Sequence, residues 1–319
     1  MKDKISASID FFKERRSNIL CEPERYSQAA GSNGLAPINY GVVTNQGYDL
    51  EIGYQDQKGD FGYSIKGIYG YAHNEIVEKS ESVKPYAYMS QTGNPIGQFI
   101  GYISDGFFSS YEDVASSPVQ FGQVSRPGDI KYKDLNGDGV IDDNDQTYYS
   151  GIYPNNPQLV YGFGLNVQYK GIYAGVFFQG VGRTSVNLKA NTSYFVPFAN
   201  GKDQSSARVQ AADHWSASDP NNMNVLYPRL HTNEYSNNTL NSTWWYRNGS
   251  FLRLKNVELG YQFDKKLVQR WKMQNLRIYV QGSNLAVWDH VKMWDPEIGN
   301  SGARYPINAT WTFGLDVTF

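Results

Sequence analysis

The sequence is short of cysteine: Cys21 is alone in 319 residues, so no internal disulfide can form, and the redox compartment stays open. It has no run of about 18 apolar residues, which excludes a transmembrane helix but not a membrane barrel, whose strands bury only every second side chain in lipid. It has no surplus of charge, with 29 basic against 31 acidic residues, and so no electrostatic footprint for nucleic acid. Its four histidines, His73, His214, His231 and His290, are far apart and form no i, i+4 metal pair. There is no G-x-S-x-G elbow and no Gly-rich strand-to-helix turn, which argues against a hydrolase or a phosphate loop, and no enzyme is expected. The opening MKDKISASIDFFKERRSNIL has no apolar h-region and is not a signal peptide.

What the chain has in abundance is tyrosine and glycine, 25 and 31 residues, within a 15% aromatic content. Tyrosine suits pleated surfaces and water–lipid boundaries, and glycine suits tight turns. The aromatics alternate. In the terminal WTFGLDVTF, Trp311, Phe313, Leu315, Val317 and Phe319 share one face and Thr312, Gly314, Asp316 and Thr318 the other. Period two marks a strand, and a soluble edge strand this apolar would be an aggregation hazard that lipid removes. The pattern recurs in QGYDLEIGYQ, FGYSIKGIYGYA, LVYGFGLNVQYKG, IYAGVFFQGV, FLRLKNVELGYQF and NLRIYVQGSNLAVW. The first segment, KISASIDFF, is ambiguous, because Ile5, Ile9 and Phe12 also fit a helical stripe.

About eight strands follow, each near or above the roughly 9–11 residues that a tilted strand needs to cross a bilayer. Short links near 57–60, 170–171 and 264–274 alternate with long ones near 20–42, 76–156, 184–247 and 288–307. Strict alternation puts all turns at one end and all long loops at the other, as in outer-membrane barrels. The fold class is therefore all-β: an antiparallel transmembrane β-barrel segment with long outer loops. Two alternatives stay open. One is a soluble, secreted, Ca²⁺-stabilised β-rich module that grips carbohydrate with its aromatics, and the other is an autonomous barrel of about eight strands. The first requires the apolar faces to pack on a second sheet, and the second requires the first and last strands to pair.

Two stretches carry candidate sites. In DLNGDGVIDDND, oxygen donors fall at loop positions 1, 3, 5, 9 and 12: Asp134, Asn136, Asp138, Asp142 and Asp145. Gly139 holds the sharp-turn position and Val140 offers its carbonyl, a spacing that wraps hard oxygens around Ca²⁺. Asp rather than a bidentate Glu closes the loop, and no helices flank it, so the expected role is a structural staple and not a switch. The alternative is an acidic loop of Asx turns. In STWWYRNGS, Trp244, Trp245 and Tyr246 stand where a long loop re-enters a strand. They are expected to form an interfacial aromatic belt, with a sugar- or peptide-stacking platform as the alternative. Arg247 and Arg253 are expected in the rim or lumen.

Taken in order, SIDFFKERRSNIL, NQGYDLEIGY, GNPIGQFIGYISDGFF, GDIKYKDLNGDGVIDDNDQTYYSG, QLVYGFGLNVQYKG, AGVFFQGVG, HWSASDPNN, WWYRNGSFLRLKNVELGYQF, NLRIYVQGSNLAVW and the terminal WTFGLDVTF resemble the C-terminal part of the SusC/RagA group of TonB-dependent outer-membrane transporters of Bacteroidota. The resemblance implies that residues 1–319 are the last third of a plugged barrel of about 22 strands. The signal peptide, plug domain and earlier strands are then expected to lie outside it, with Trp311–Phe319 as the assembly signal. It also implies a cell outer-membrane location, a SusD-like surface lipoprotein as partner, energy relayed by TonB to the plug, and oligosaccharide or peptide as cargo. No nucleotide or redox cofactor is implied.

Overall fold

The computed structural model describes residues 4–24, 35–191, 195–198, 207–231 and 236–319. One antiparallel eight-stranded sheet dominates it: β1 (Ile5–Cys21), β2 (Ile38–Lys58), β3 (Phe61–Glu78), β4 (Leu159–Tyr169), β5 (Ile172–Gly182), β6 (Phe251–Gln262), β7 (Asn275–Asp289) and β8 (Thr310–Thr318). The strands lie in chain order, so each pairs with its sequence neighbours. KISASIDFF is strand: β1 pairs with β2 from Ile5↔Tyr54 to Cys21↔Ile38, and the helical alternative is discarded. β1, β2 and β3 run for 17, 21 and 18 residues, well beyond the bilayer-crossing minimum, so their loop ends project past the lipid.

Register makes one face of this sheet apolar from edge to edge. A single row crosses all eight strands through Ile5, Tyr54, Ile65, Leu165, Val176, Val257, Gly282 and Trp311. One residue along, the row reads Ser6, Gly53, Lys66, Gly164, Phe177, Asn256, Ser283 and Thr310. The first face leaves Ile5, Ile65, Leu165 and Trp311 exposed, so no second sheet covers it. The remaining sheets among the described residues are two-stranded pieces within the loops. A soluble sandwich needs a covering sheet, and that alternative is set aside. The sheet is also open, since β1 pairs only with β2 and β8 only with β7 among the described residues, and the small closed barrel is not formed.

Aromatics edge this face at both ends. Toward the short turns lie Tyr54, Phe61, Tyr63, Tyr261 and Phe263, in ring contacts of 4.8–5.9 Å. Toward the long loops, Tyr48 touches Phe11, Tyr69 and Tyr71, and Phe178 touches Phe163 and Trp288. Two aromatic girdles flanking an apolar band are what a water–lipid boundary on each side selects. The turns are tight for a local reason: Lys170 and Gly171 both have positive φ (47° and 87°), the type I′ geometry that matches strand twist.

Candidate functional site

The opposite face is polar and carries its charges in pairs. Lys66 meets Glu51 at 2.8 Å. Tyr173 donates to Glu258 at 2.8 Å, while Arg277 lies between Glu258 and Asp316 at 3.8 and 3.6 Å. A recess of about 660 Å³ at the turn end is lined by Gln55, Ser64, Asn166 and Gln168. A second of about 400 Å³ at the loop end is lined by Asn45, Asn74, Asn156 and Gln158. This is a wall of neutral amides and paired charges, suited to hydrogen-bonding a polar solute passing along it.

Above that face the long loops fold into a layer with its own hydrophobic core. Tyr102, Phe107, Ile130, Tyr132, Ile141, Val186, Leu188, Trp215, Tyr227, Trp245 and Val291 form it, drawn from the 79–158, 183–250 and 290–309 loops. The segment around 237–245 threads it. Tyr102 donates its N–H to Asn241 at 2.9 Å and accepts from Thr243 at 3.0 Å, and Ser104 N donates to Thr243 Oγ1 at 2.9 Å. Burial pushes the Tyr227 phenol up to about 12. Gly128 has φ +87°, and a Cβ there would stand 2.3 Å from the Trp215 ring, so only glycine fits.

At the centre of the layer Asp129 is fully buried and fully satisfied. It accepts from Arg229 Nη2 at 3.0 and 3.2 Å, Asn238 Nδ2 at 3.0 Å and the backbone N–H of Arg126 at 2.8 Å, with His231 Nε2 at 2.9 Å. A buried carboxylate is tolerated only with such partners, and here they join two loops. Glu81 plays the same part near β3. Burial raises its pKa, but backbone N–H donors from Gln91 and Thr92 and the hydroxyls of Ser90 and Thr92 outweigh that and hold it below the usual carboxylate value. Arg253 faces inward beneath the 290–309 loop, paired with Asp295 at 2.5 Å and Glu297 at 3.0 Å. The Asp129 and Arg253 clusters have no local sequence signature, because their side-chain partners lie 42 or more residues away in the chain.

The expectation for Trp244, Trp245 and Tyr246 is corrected. Trp245 is 1% exposed, and its Nε1 donates to Asn238 O at 3.1 Å. Trp244 packs on Phe107 at 4.4 Å, and Tyr246 meets Phe99 edge-on at 4.9 Å. These rings are core of the loop layer and not an interfacial belt, and Trp245 offers no open face for stacking a ligand. Arg247 likewise lies within the layer, donating to the carbonyls of Trp244 and Tyr246.

The 134–145 loop folds on itself. Asp134 accepts from Gly137 and Gly139 N–H (2.6 and 2.8 Å), Asn136 from Asp138 N–H at 3.1 Å, and Asp138 from Val140 N–H at 2.9 Å. Asp145, fully buried, accepts from Leu135 and Asp142 N–H, which ties the loop's ends together, and Asp142 caps Asn144. Among the described residues, no three acidic, histidine or cysteine groups gather into a metal-binding cluster. In β8, Trp311, Phe313, Leu315 and Val317 continue the apolar face, pairing at Leu276↔Val317, Ile278↔Leu315, Val280↔Phe313 and Gly282↔Trp311, and Phe319 follows the end of the strand.

An open apolar-outside, polar-inside wall with tight turns at one end and packed loops at the other defines a transmembrane β-barrel segment. No protein-family profile matches the chain. It is 24% identical, over 99% of its length, to TonB-dependent receptor P26 of Formosa agariphila, covering 33% of that protein. To TonB-dependent receptor SusC of Bacteroides thetaiotaomicron it is 23% identical over its full length, covering 30% of that protein. It superposes on the RagAB peptide importer in its open-open state with a TM-score of 0.75 at 20% identity, covering 99% of this chain and 33% of that one. The chain thus spans about a third of the length of the relatives it matches. It is a SusC/RagA-like portion of a TonB-dependent receptor barrel.

Proposed function

We propose that the chain supplies part of the wall and the outer loop layer of an outer-membrane transporter that takes up oligosaccharides or peptides. A SusD-like surface lipoprotein would cap the loop layer, and TonB would supply energy through a plug outside these residues. The register rows carry this reading: a continuous lipid-compatible face backs a polar wall that leads from the packed loops to the short turns. The likeness to a peptide importer supports the peptide half of the cargo class, and the oligosaccharide half rests on the SusC/RagA resemblance of the sequence. No catalytic role is part of the proposal. The test uses the full-length protein in its own cells. It is expected in the outer-membrane fraction, with the 79–158 loop cut by protease added outside, and deletion of its gene is expected to abolish uptake of one oligosaccharide or peptide pool. Recovery in the soluble fraction would sink the reading.

Ca²⁺ in the 134–145 loop belongs to the same proposal and rests on the spacing of its donors, Asp134, Asn136, Asp138, the Val140 carbonyl, Asp142 and Asp145. The loop's backbone hydrogen bonds already define its shape, so the ion would act by screening four mutually repelling carboxylates. EDTA is expected to speed cleavage within 79–158 several-fold and Ca²⁺ to reverse it. Equal cleavage in both conditions removes the ion from the account.

A further inference from the structure

The three links at the turn end differ in chemistry. Two are two-residue hairpins, while residues 263–274 form a longer link, FDKKLVQRWKMQ, between β6 and β7. Its helix, Lys265–Gln269, is capped by Asp264, which accepts from Lys266 N–H at 2.7 Å. Val268 is buried beneath it. Lys265, Lys266, Arg270 and Lys272 are all exposed, and none has a carboxylate within salt-bridge distance among the described residues. Lys66 and Arg277 on the lumen face each meet an acid, and Lys4, just before β1, pairs with Asp56. Lys170 in the neighbouring hairpin reaches Asp60 at 3.9 Å and lies over its own neighbour Tyr169. The only acid in the 263–274 link, Asp264, is engaged as the cap.

Between those four cations stand two exposed apolar side chains, Leu267 at 39% and Trp271 at 52%. Exposed tryptophan beside unpaired lysine and arginine is costly against water but fits the headgroup layer, where the ring meets the acyl boundary and the cations meet phosphate. The link's place agrees: it begins at Phe263, beside Tyr261 of the turn-end girdle, and leads into the outward-facing Leu276 and Ile278. It therefore lies one step beyond the apolar band.

We propose that residues 263–274 form a binding site for anionic phospholipid headgroups in the leaflet at the turn end of the barrel. Lys265, Lys266, Arg270 and Lys272 would hold the phosphate, and Leu267 and Trp271 would seat the link at the interface. Four exposed cations within eight residues bind a negative surface by summed attraction and not by one contact, so affinity falls with each charge removed and with added salt. The site rests on the membrane reading above.

The test takes the full-length receptor in mild detergent and measures retention of fluorescent phosphatidylglycerol against phosphatidylcholine. The wild type is expected to prefer phosphatidylglycerol by about tenfold or more, and the K265Q/K266Q/R270Q/K272Q variant to lose that preference while assembling normally. Because all four residues are exposed, the variant leaves packing intact. A Trp271→Ala variant is expected to weaken retention of both lipids and to keep the preference. Equal retention of the two lipids by the wild type, or an unchanged preference in the quadruple variant, overturns the proposal. A receptor found in the outer-membrane fraction with either result leaves the membrane reading standing. A receptor recovered in the soluble fraction defeats that reading first.

Discussion

Trp245→Ala is expected to destabilise the loop layer by about 3–5 kcal/mol, the cost of emptying a tryptophan-sized site in a packed core. The ring is 1% exposed and neighbours Tyr227, with centroids 6.3 Å apart. Its loss also orphans the Asn238 carbonyl, which accepts from Nε1. Asn238 is the residue that bonds Asp129 and the Ile130 N–H, so the damage should spread to the buried carboxylate. The measurement is hydrogen exchange and protease half-life of the 79–158 and 183–250 loops in the full-length protein. Both loops should open together while the wall strands keep their protection. A ring lying in a lipid belt would leave both readouts unchanged.

The second large effect is a contrast between adjacent residues of β4. Leu165→Arg puts a charge in the apolar row between Ile65 and Val176, on the strand at the middle of the sheet. Near the bilayer midplane this costs about 2–4 kcal/mol, and outer-membrane assembly should fall sharply, read as loss of the folded band on unboiled gels. Asn166→Arg faces the recess lined by Gln55, Ser64 and Gln168, where water and paired charges already stand, and assembly should stay near wild type. In a soluble protein the order would differ, since Leu165, 40% exposed, would tolerate a charge.

The wall was legible in the sequence because a strand's side-chain period is two, and one lipid-facing side writes that period in aromatics and aliphatics. Even the ambiguous KISASIDFF was settled by something the pattern could not show, a ladder from Ile5 to Cys21 against β2. The loop layer was not legible. Ser104 and Thr243 are 139 residues apart and Asp129 and Asn238 are 109 apart, and nothing local announces either contact. WWY was misread for the same reason: aromatics at a strand entry look alike whether lipid or another loop covers them. Only the covering segment, absent from the local pattern, decides between girdle and core. In DLNGDGVIDDND the donor spacing was plain, but spacing does not reveal that backbone N–H groups occupy Asp134, Asp138 and Asp145.

That one face of this sheet meets lipid and the other a polar lumen is tested most directly by collision accessibility along β4. Spin labels would be placed singly at Leu165, Asn166, Val167 and Gln168 of the full-length protein, in a Cys21→Ala background, with the protein in bilayers. Oxygen, which concentrates in lipid, should collide strongly at 165 and 167 and weakly at 166 and 168, with a water-soluble nickel complex showing the reverse. Four sites that respond alike, or that favour the nickel complex at 165 and 167, would contradict the account.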